Sequence, residues 1–217
     1  MLETRGLSVR FGGHVAVDGV SCAFAPGTLT AIVGPNGAGK TTYFNLISGQ
    51  LKATSGEVLL NGRSLAGLSP SARTRAGLGR AFQLTNLFPN LSVLENVRLA
   101  VQATQAGPHR RGLNLWSIWR DHTALTERAE TILQEVAMAD QADQPVSSLP
   151  HGDQRKLEVA LLMALEPQVY MFDEPTAGMS VDEVPVVLDL IRQLKARQDI
   201  VILLVEHKMD VVRELAD

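Results

Sequence analysis

Residues 34–42 read Gly34-Pro35-Asn36-Gly37-Ala38-Gly39-Lys40-Thr41-Thr42 and fill every fixed position of the pattern G-x-x-x-x-G-K-S/T. An apolar run, Leu29–Val33, precedes this stretch and a helix-like segment, Thr41–Ser48, follows it, so the loop joins a strand to a helix. Its glycines let successive backbone N–H groups point at one phosphate, and the helix N-terminus adds partial positive charge. The stretch therefore favours a nucleotide phosphate site in an α/β fold over a simple glycine-rich turn.

Two acidic residues are the second candidate feature of this site. The run Gln168–Phe172 predicts a buried strand that delivers Asp173 and Glu174 to its C-terminal tip, where ligands collect in open α/β sheets. Adjacent acids at the end of a strand often form only a solvated loop, but the phosphate loop upstream favours a catalytic interpretation. We therefore expect Lys40 to hold the outer phosphates, Thr41 and Asp173 to hold Mg²⁺, and Glu174 to polarise the attacking water.

Composition limits the class of protein without naming a function. A chain of 217 residues with 45% hydrophobic residues can form one or two domains with a well-buried core. The formal net charge of −3 argues against a general nucleic-acid-binding surface, so no nucleic-acid partner is expected. The single cysteine, Cys22, excludes an internal disulfide and is expected to be a small core residue in a strand. No apolar run has the length of a signal peptide or a membrane span.

The order of predicted elements defines the fold. Leu7–Phe11 and Val15–Phe24 predict antiparallel strands ahead of the phosphate loop. Helices dominate from about residue 84 to 148, beginning with the capping box Ser92-Val93-Leu94-Glu95. We therefore predict an α/β fold: a phosphate-loop NTPase core with a mostly parallel sheet, an antiparallel N-terminal β-subdomain and an inserted helical subdomain. Within that insertion, the paired Trp116 and Trp119 beside a basic tract favour either core anchors or a lipid or partner surface.

Three single residues give signals that are ambiguous when taken alone. Phe11, beside Gly12 and Gly13, is either an exposed ring for stacking on a base or a buried strand residue. Gln83 ends a short predicted strand and is usually no more than polar surface. His207 follows a buried strand as Asp173 does, so it is either a contact of the γ-phosphate or a structural histidine.

Taken together and in this order, these elements resemble the nucleotide-binding subunit of ATP-binding cassette (ABC) transporters over nearly the whole chain. Within that family, the chain is most similar to ATP-binding proteins of branched-chain amino-acid transporters. Related urea and amide importers share much of the same motif sequence. The closer likeness is carried by FNLISG (44–49), GLGRAFQ (77–83), LPHGDQRKLEVA (149–160) and ILLVEHKMD (202–210).

The resemblance gives each ambiguous residue a role. It implies that Phe11 stacks on the adenine of ATP, that Gln83 links the metal and the attacking water to a membrane partner, and that His207 is the switch histidine. Leu149-Pro150-His151-Gly152-Asp153 stands where the family has its LSGGQ signature, which closes over ATP held by the other subunit. Leu149, Gly152 and Asp153 are therefore expected to face a nucleotide bound by a partner.

The resemblance also implies a function and an assembly. Residues 1–217 are expected to be a single ABC ATPase domain, with 1–83 and 149–217 as the core and about 84–148 as the helical subdomain. With ATP and Mg²⁺ as cofactors, the chain would power the uptake of branched-chain amino acids or similar small solutes. Its partners would be a second, paralogous ATPase subunit, integral membrane permeases and, indirectly, a periplasmic solute-binding protein, at the cytoplasmic face of the inner membrane. The alternatives are a lipid or lipopolysaccharide export ATPase and a nucleotide-gated interaction module with little turnover.

Three departures from the family pattern qualify these expectations. In the signature, Pro150 replaces Ser, His151 replaces the first Gly and Asp153 replaces Gln, so a hydroxyl is lost and an acid is added near the γ-phosphate. Ser180 stands where the D-loop usually has Asp. Relatives normally continue past Asp217, so a truncated or unusually short member is expected. The signature changes predict two unequal half-sites in the assembled transporter.

Overall fold

The computed structural model describes residues 1–81, 87–105, 123–182 and 184–217. The described residues form two compact units. The first lies within Met1–Gln83, Pro167–Ala177 and Leu188–Asp217, and the second lies within Leu84–Glu166 and Gly178–Val187.

In chain order the elements are β1 (Leu2–Phe11), β2 (His14–Phe24), β3 (Leu29–Ile32), α1 (Lys40–Ser48), β4 (Ser55–Leu60), β5 (Arg63–Ser64), α2 (Pro70–Arg75), β6 (Leu78–Ala81), α3 (Val93–Gln105), α4 (Thr123–Glu135), α5 (His151–Ala164), β7 (Val169–Asp173), α6 (Val184–Lys195), β8 (Val201–Val205) and α7 (Met209–Leu215).

The first unit contains an antiparallel sheet with the strand order β2-β1-β4-β5. Asn61 and Gly62 join β4 to β5 with φ values of 51° and 76°, which is the left-handed geometry that an Asn-Gly turn favours. The predicted antiparallel pairing of the two N-terminal strands is confirmed. The prediction that Cys22 is a core residue is wrong, because the thiol lies exposed on β2, an edge strand of this sheet.

A parallel sheet with the order β3-β8-β7-β6 forms the other layer of the same unit. Every residue of β7 and β8 is buried, as expected for parallel strands covered on both faces. The pairing runs in register from Val169↔Val201 to Asp173↔Val205. Because the strands are parallel, the carboxyl ends of β3, β7 and β8 reach the same edge of the sheet.

Helix α1 packs against residues of both sheets. Its buried residues Tyr43, Phe44, Leu46 and Ile47 join a single apolar cluster with side chains of the antiparallel and parallel strands. The helix ends at Ser48, and Gly49 caps it with a φ of 80° and a backbone N–H that donates to the Leu46 carbonyl oxygen over 3.3 Å. The predicted class, an α/β fold with an antiparallel N-terminal sheet, is confirmed.

The second unit is built around α3, α4 and α5. The predicted capping box is present: the Glu95 N–H donates to the Ser92 hydroxyl oxygen over 3.1 Å, and the Ser92 N–H donates to the Glu95 carboxylate over 3.0 Å. The apolar faces of α3 and α4 repeat at helical spacing and are buried. They consist of Val93, Val97 and Val101 on α3, and Leu125, Ala129, Ile132 and Leu133 on α4.

Some sequence predictions fall outside the described residues. These are the pair Trp116 and Trp119, their basic neighbours at 109–111, and Gln83. The predicted limits of the helical subdomain, about 84–148, stay a prediction, while the second compact unit itself extends to Glu166. None of the helices in the described ranges is both long and apolar enough to cross a membrane.

Candidate nucleotide site

An open cleft in the first unit, about 360 Å³ in volume, brings three of the predicted regions together. One wall is the turn between β1 and β2, with Phe11, His14 and Ala16. A second wall is the phosphate loop with the start of α1, residues 36–42, and Glu174 completes the lining. The Phe11 ring is 51% exposed, so it stands free to stack on a flat ligand. His14 was not expected here, and nothing in its local sequence marks it.

The shape of the loop depends on glycine at one position above all. Gly39 has a φ of 84°, and a Cβ placed there would lie 2.4 Å from the Ala16 carbonyl oxygen. The loop can therefore approach β2 only because position 39 has no side chain. From this point the chain enters α1 directly, so that the first N–H groups of the helix border the cleft.

Lys40 is largely buried beneath the loop. Its Nζ donates to the carbonyl oxygens of Gly34 over 2.7 Å and Pro35 over 3.0 Å. An ammonium group has three N–H donors, so one more acceptor, such as a phosphate oxygen, can be bound without breaking these contacts. The loop thus holds its cation beside the cleft that residues 36–42 line.

Asp173 lies at the end of β7 and forms a buried ion pair. Its Oδ2 accepts a hydrogen bond from Arg80 Nη2 over 2.6 Å. The same guanidinium donates to Asn45 Oδ1 over 2.7 Å and to Ser48 Oγ over 3.0 Å, so it connects β6, β7 and α1. Burial lowers the pKa of Arg80, while the hydrogen bond and the charge of Asp173 act in the opposite direction. Sequence reasoning missed Arg80, although a cation inside an apolar strand is an unusual feature.

Glu174 and His207 approach each other at the same sheet edge. The distance from His207 Nδ1 to Glu174 Oε1 is 3.8 Å. Glu174 has a φ of 51°, a left-handed conformation that costs free energy in a residue other than glycine. Its backbone N–H donates to the Val205 carbonyl oxygen over 2.9 Å, which continues the β7–β8 pairing by one residue.

Glu206, directly before His207, is fully buried. Its Oε1 accepts a hydrogen bond from the Thr176 hydroxyl over 2.6 Å. Its Oε2 accepts hydrogen bonds from the backbone N–H groups of His207, over 2.9 Å, and Lys208, over 3.2 Å. Sequence reasoning gave Glu206 no role of its own. Its position could have marked it, because an acid there directly follows a fully apolar strand and directly precedes a candidate catalytic histidine.

The signature stretch lies in the second unit, at the start of α5. Leu149 and Gly152 are buried, and the helix begins after Pro150 without a side-chain cap. The Asp153 carboxylate accepts hydrogen bonds from Gln141 over 3.0 Å and Lys156 over 2.6 Å. Burial alone would raise the pKa of Asp153, but these hydrogen bonds and the charge of Lys156 outweigh it and lower the pKa. The added acid is therefore ionised and already paired with a cation.

The donor set suits Mg²⁺ better than a metal that needs many protein ligands. Across the described part of the chain, no cluster of three or more His, Cys, Asp or Glu side chains is arranged to hold a metal. Mg²⁺ usually takes one or two carboxylates together with substrate phosphates and water. Thr41 provides a hydroxyl oxygen at the cleft, and Asp173 provides a carboxylate at the neighbouring strand end, where Arg80 already binds its Oδ2. Both are oxygen ligands of the kind that Mg²⁺ takes.

Comparison with known proteins gives consistent matches along the chain. The family model described as ABC transporter matches residues 17–177. The high-affinity branched-chain amino acid transport ATP-binding protein LivG of Escherichia coli (strain K12) is 37% identical over all of this chain and 86% of its own length. The corresponding protein BraF of Pseudomonas aeruginosa is 34% identical with the same coverage. The crystal structure of the ADP conformation of MJ1267, an ATP-binding cassette of an ABC transporter, is 28% identical, with a TM-score of 0.81 over 99% of this chain and 84% of that chain.

Proposed function

This chain belongs to the ABC transporter family and is an ATPase of that family, and we propose that its hydrolysis of ATP drives the uptake of branched-chain amino acids or similar small solutes. The observation that carries this proposal is the cleft in which Phe11, the phosphate loop and Glu174 meet. The choice of solute is supported by two relatives, LivG and BraF, whose names describe branched-chain amino acid transport.

Each residue around the cleft has a task in the proposed reaction. Phe11 stacks on the adenine, and the N–H groups of residues 36–42 with the Lys40 ammonium bind the phosphates. Glu174 accepts a hydrogen bond from the water that attacks the γ-phosphorus, and His207, 3.8 Å from Glu174, contacts the γ-phosphate. Mg²⁺, when bound by Thr41, Gln83 and Asp173, neutralises phosphate charge.

The proposed assembly contains two ATPase subunits. The N-terminus of α5, where Leu149, Gly152 and Asp153 lie, faces the nucleotide held by the partner's phosphate loop, and the backbone at the positive end of the helix provides the contact. Because Lys156 and Gln141 bind the Asp153 carboxylate, its repulsion of the phosphate is reduced but not removed. The half-site that this signature completes would therefore be weaker than its counterpart. Permease subunits would hold the pair at the cytoplasmic face of the inner membrane, with a periplasmic solute-binding protein acting through them.

Uptake by the complete complex tests this proposal. The complex, purified with its ATPase and permease partners, is reconstituted into vesicles with the solute-binding protein, and accumulation of radiolabelled leucine is measured. We expect accumulation with ATP and none when the chain carries Glu174→Gln, while both complexes bind ATP. ATP hydrolysis that is stimulated by lipid but not by any branched-chain amino acid would instead favour an exporter. ATP binding without turnover in the wild type would favour a nucleotide-gated module.

A further inference from the structure

The two segments that carry Glu174 and His207 separate at the end of the parallel sheet. The β7–β8 pairing ends at Asp173↔Val205, and one more backbone hydrogen bond, from the Glu174 N–H to Val205, follows. Beyond that point the sheet itself no longer fixes the distance between the two catalytic side chains. Another contact must set it.

Glu206 provides such a contact. One carboxylate oxygen binds the Thr176 hydroxyl, two residues after Glu174, and the other binds the N–H groups of His207 and Lys208. Lys208 Nζ adds a second link at the limit of hydrogen bonding, 3.5 Å from the Thr176 carbonyl oxygen. The carboxylate therefore connects the segment after β7 with the segment after β8.

The burial of this group indicates that the contact is specific. Glu206 is 0% exposed and Thr176 is 1% exposed, and a carboxylate in such a place is costly unless donors surround it. Three donors satisfy it: the Thr176 hydroxyl and the backbone N–H groups of His207 and Lys208. An apolar side chain would fill the same space at the base of the two segments, but it would not connect them.

We propose that Glu206 is a positioning residue which, through Thr176, holds the Glu174 segment and the His207 segment in the geometry needed for hydrolysis. The inference rests on the proposed ATPase reaction. Glu206 itself touches neither nucleotide nor water in this account. Its effect is to keep Glu174 and His207 at their observed separation of 3.8 Å between Oε1 and Nδ1.

Two pairs of variants distinguish the effect of losing the Thr176–Glu206 hydrogen bond from a general loss of folded structure. Thr176→Val keeps the volume and removes the hydroxyl, and Thr176→Ser keeps the hydroxyl. Glu206→Leu removes both acceptors. Glu206→Gln can retain the whole network, because its Oε1 can accept from the two N–H groups while its Nε2 donates to the Thr176 hydroxyl oxygen.

The readouts are kcat, the ATP dissociation constant and amide hydrogen exchange in the assembled complex. We expect Thr176→Val and Glu206→Leu to lower kcat by about tenfold or more, since small misplacements of catalytic groups cost up to about 100-fold. The ATP dissociation constant should stay within about twofold of the wild type, and Thr176→Ser and Glu206→Gln should keep most of kcat. Exchange should accelerate at Ala177, whose N–H donates to the Glu174 carbonyl oxygen, and at His207.

Different outcomes test the positioning role of Glu206 and the ATPase activity of the chain. If folded Thr176→Val complex retains wild-type kcat and wild-type exchange at Ala177, the positioning role is wrong. It is equally wrong if Thr176→Ser loses as much activity as Thr176→Val. If the wild type shows no hydrolysis beyond Glu174→Gln, the ATPase proposal fails, and hydrogen exchange alone then decides whether Glu206 connects the segments.

Discussion

At the scale of single residues, the site depends on charges that are held in place before any nucleotide arrives. Lys40 is held by two loop carbonyl oxygens, Asp173 is held by Arg80, and Glu174 is held in a left-handed backbone conformation. Preorganised charges of this kind need little rearrangement during phosphoryl transfer. Each of them can be removed separately, which gives the first two predictions.

Lys40→Ala should remove nucleotide binding while leaving the protein folded. The ammonium lies beside the loop and is the one cation among the cleft-lining residues 36–42, and its removal leaves the phosphates bound only by N–H groups. We expect the ATP dissociation constant, measured by calorimetry, to rise by about 100-fold or more. Lys52→Ala, a change of an exposed lysine outside the cleft, is the control. Wild-type affinity in Lys40→Ala would refute the phosphate-loop assignment.

Arg80→Met should destabilise the first unit strongly. The substitution leaves the Asp173 carboxylate buried without its cation, which costs about 3–5 kcal/mol in comparable pairs. The free energy of unfolding, from urea denaturation, measures the effect. Arg75→Met, at an exposed position of α2, should change it by less than about 0.5 kcal/mol. Equal stability of the two variants would show that the buried pair contributes nothing.

At the scale of elements, the site is assembled from the turn between β1 and β2, the ends of β3, β7 and β8, and the start of α1. The phosphate loop has a steric limit at Gly39, where a Cβ would lie 2.4 Å from the carbonyl oxygen of Ala16 on β2. Gly67 has a similar φ of 74°, but a Cβ there would meet nothing within 4 Å. A comparison of substitutions at the two glycines therefore separates the free-energy cost of the left-handed backbone from that of steric overlap.

Gly39→Ala should cost clearly more stability than Gly67→Ala. We expect Gly67→Ala to lose about 1 kcal/mol from the left-handed backbone alone. Gly39→Ala must also displace β2 or the loop, so both its melting temperature and its ATP affinity should fall further. Thermal unfolding and calorimetry of the two variants provide the comparison. Identical losses would mean that the loop is free to move away from β2.

Elements were more predictable from the sequence than the contacts between them. The strand-loop-helix around residues 34–42, the buried strand ending at Asp173 and the capping box of Ser92 and Glu95 are local patterns, and the sequence records them directly. The pairs Arg80–Asp173 and Thr176–Glu206 join residues 93 and 30 positions apart, and no local periodicity encodes such contacts. The exposure of Cys22 was missed for a related reason, since edge positions depend on strand order.

At the scale of the whole molecule, the proposal is a two-subunit motor with unequal half-sites. The altered signature, with Asp153 in the first turn of α5, is the feature that distinguishes the two halves in this account. The acid is charged at neutral pH, and the hydrogen bonds from Lys156 and Gln141 outweigh burial and lower its pKa further. In the proposed assembly, this charge would act on the nucleotide of the partner subunit.

Asp153→Gln should raise the turnover of the assembled complex. Removing the negative charge lowers repulsion of the γ-phosphate, and we expect kcat to rise by about threefold, equivalent to about 0.65 kcal/mol. Asp140→Asn, an exposed change in the same unit, is the control. Equal hydrolysis at both half-sites in the wild type, or no response to Asp153→Gln, would contradict unequal sites.

The most direct test of the central claim is ATP hydrolysis by the purified chain, alone and mixed with its partner ATPase, in the wild type and in Glu174→Gln. ATP binding is measured in the same samples. We expect turnover that appears or rises on mixing and falls by about 100-fold or more in Glu174→Gln, which still binds ATP. Unchanged hydrolysis in Glu174→Gln would remove Glu174 from its role and contradict the mechanism.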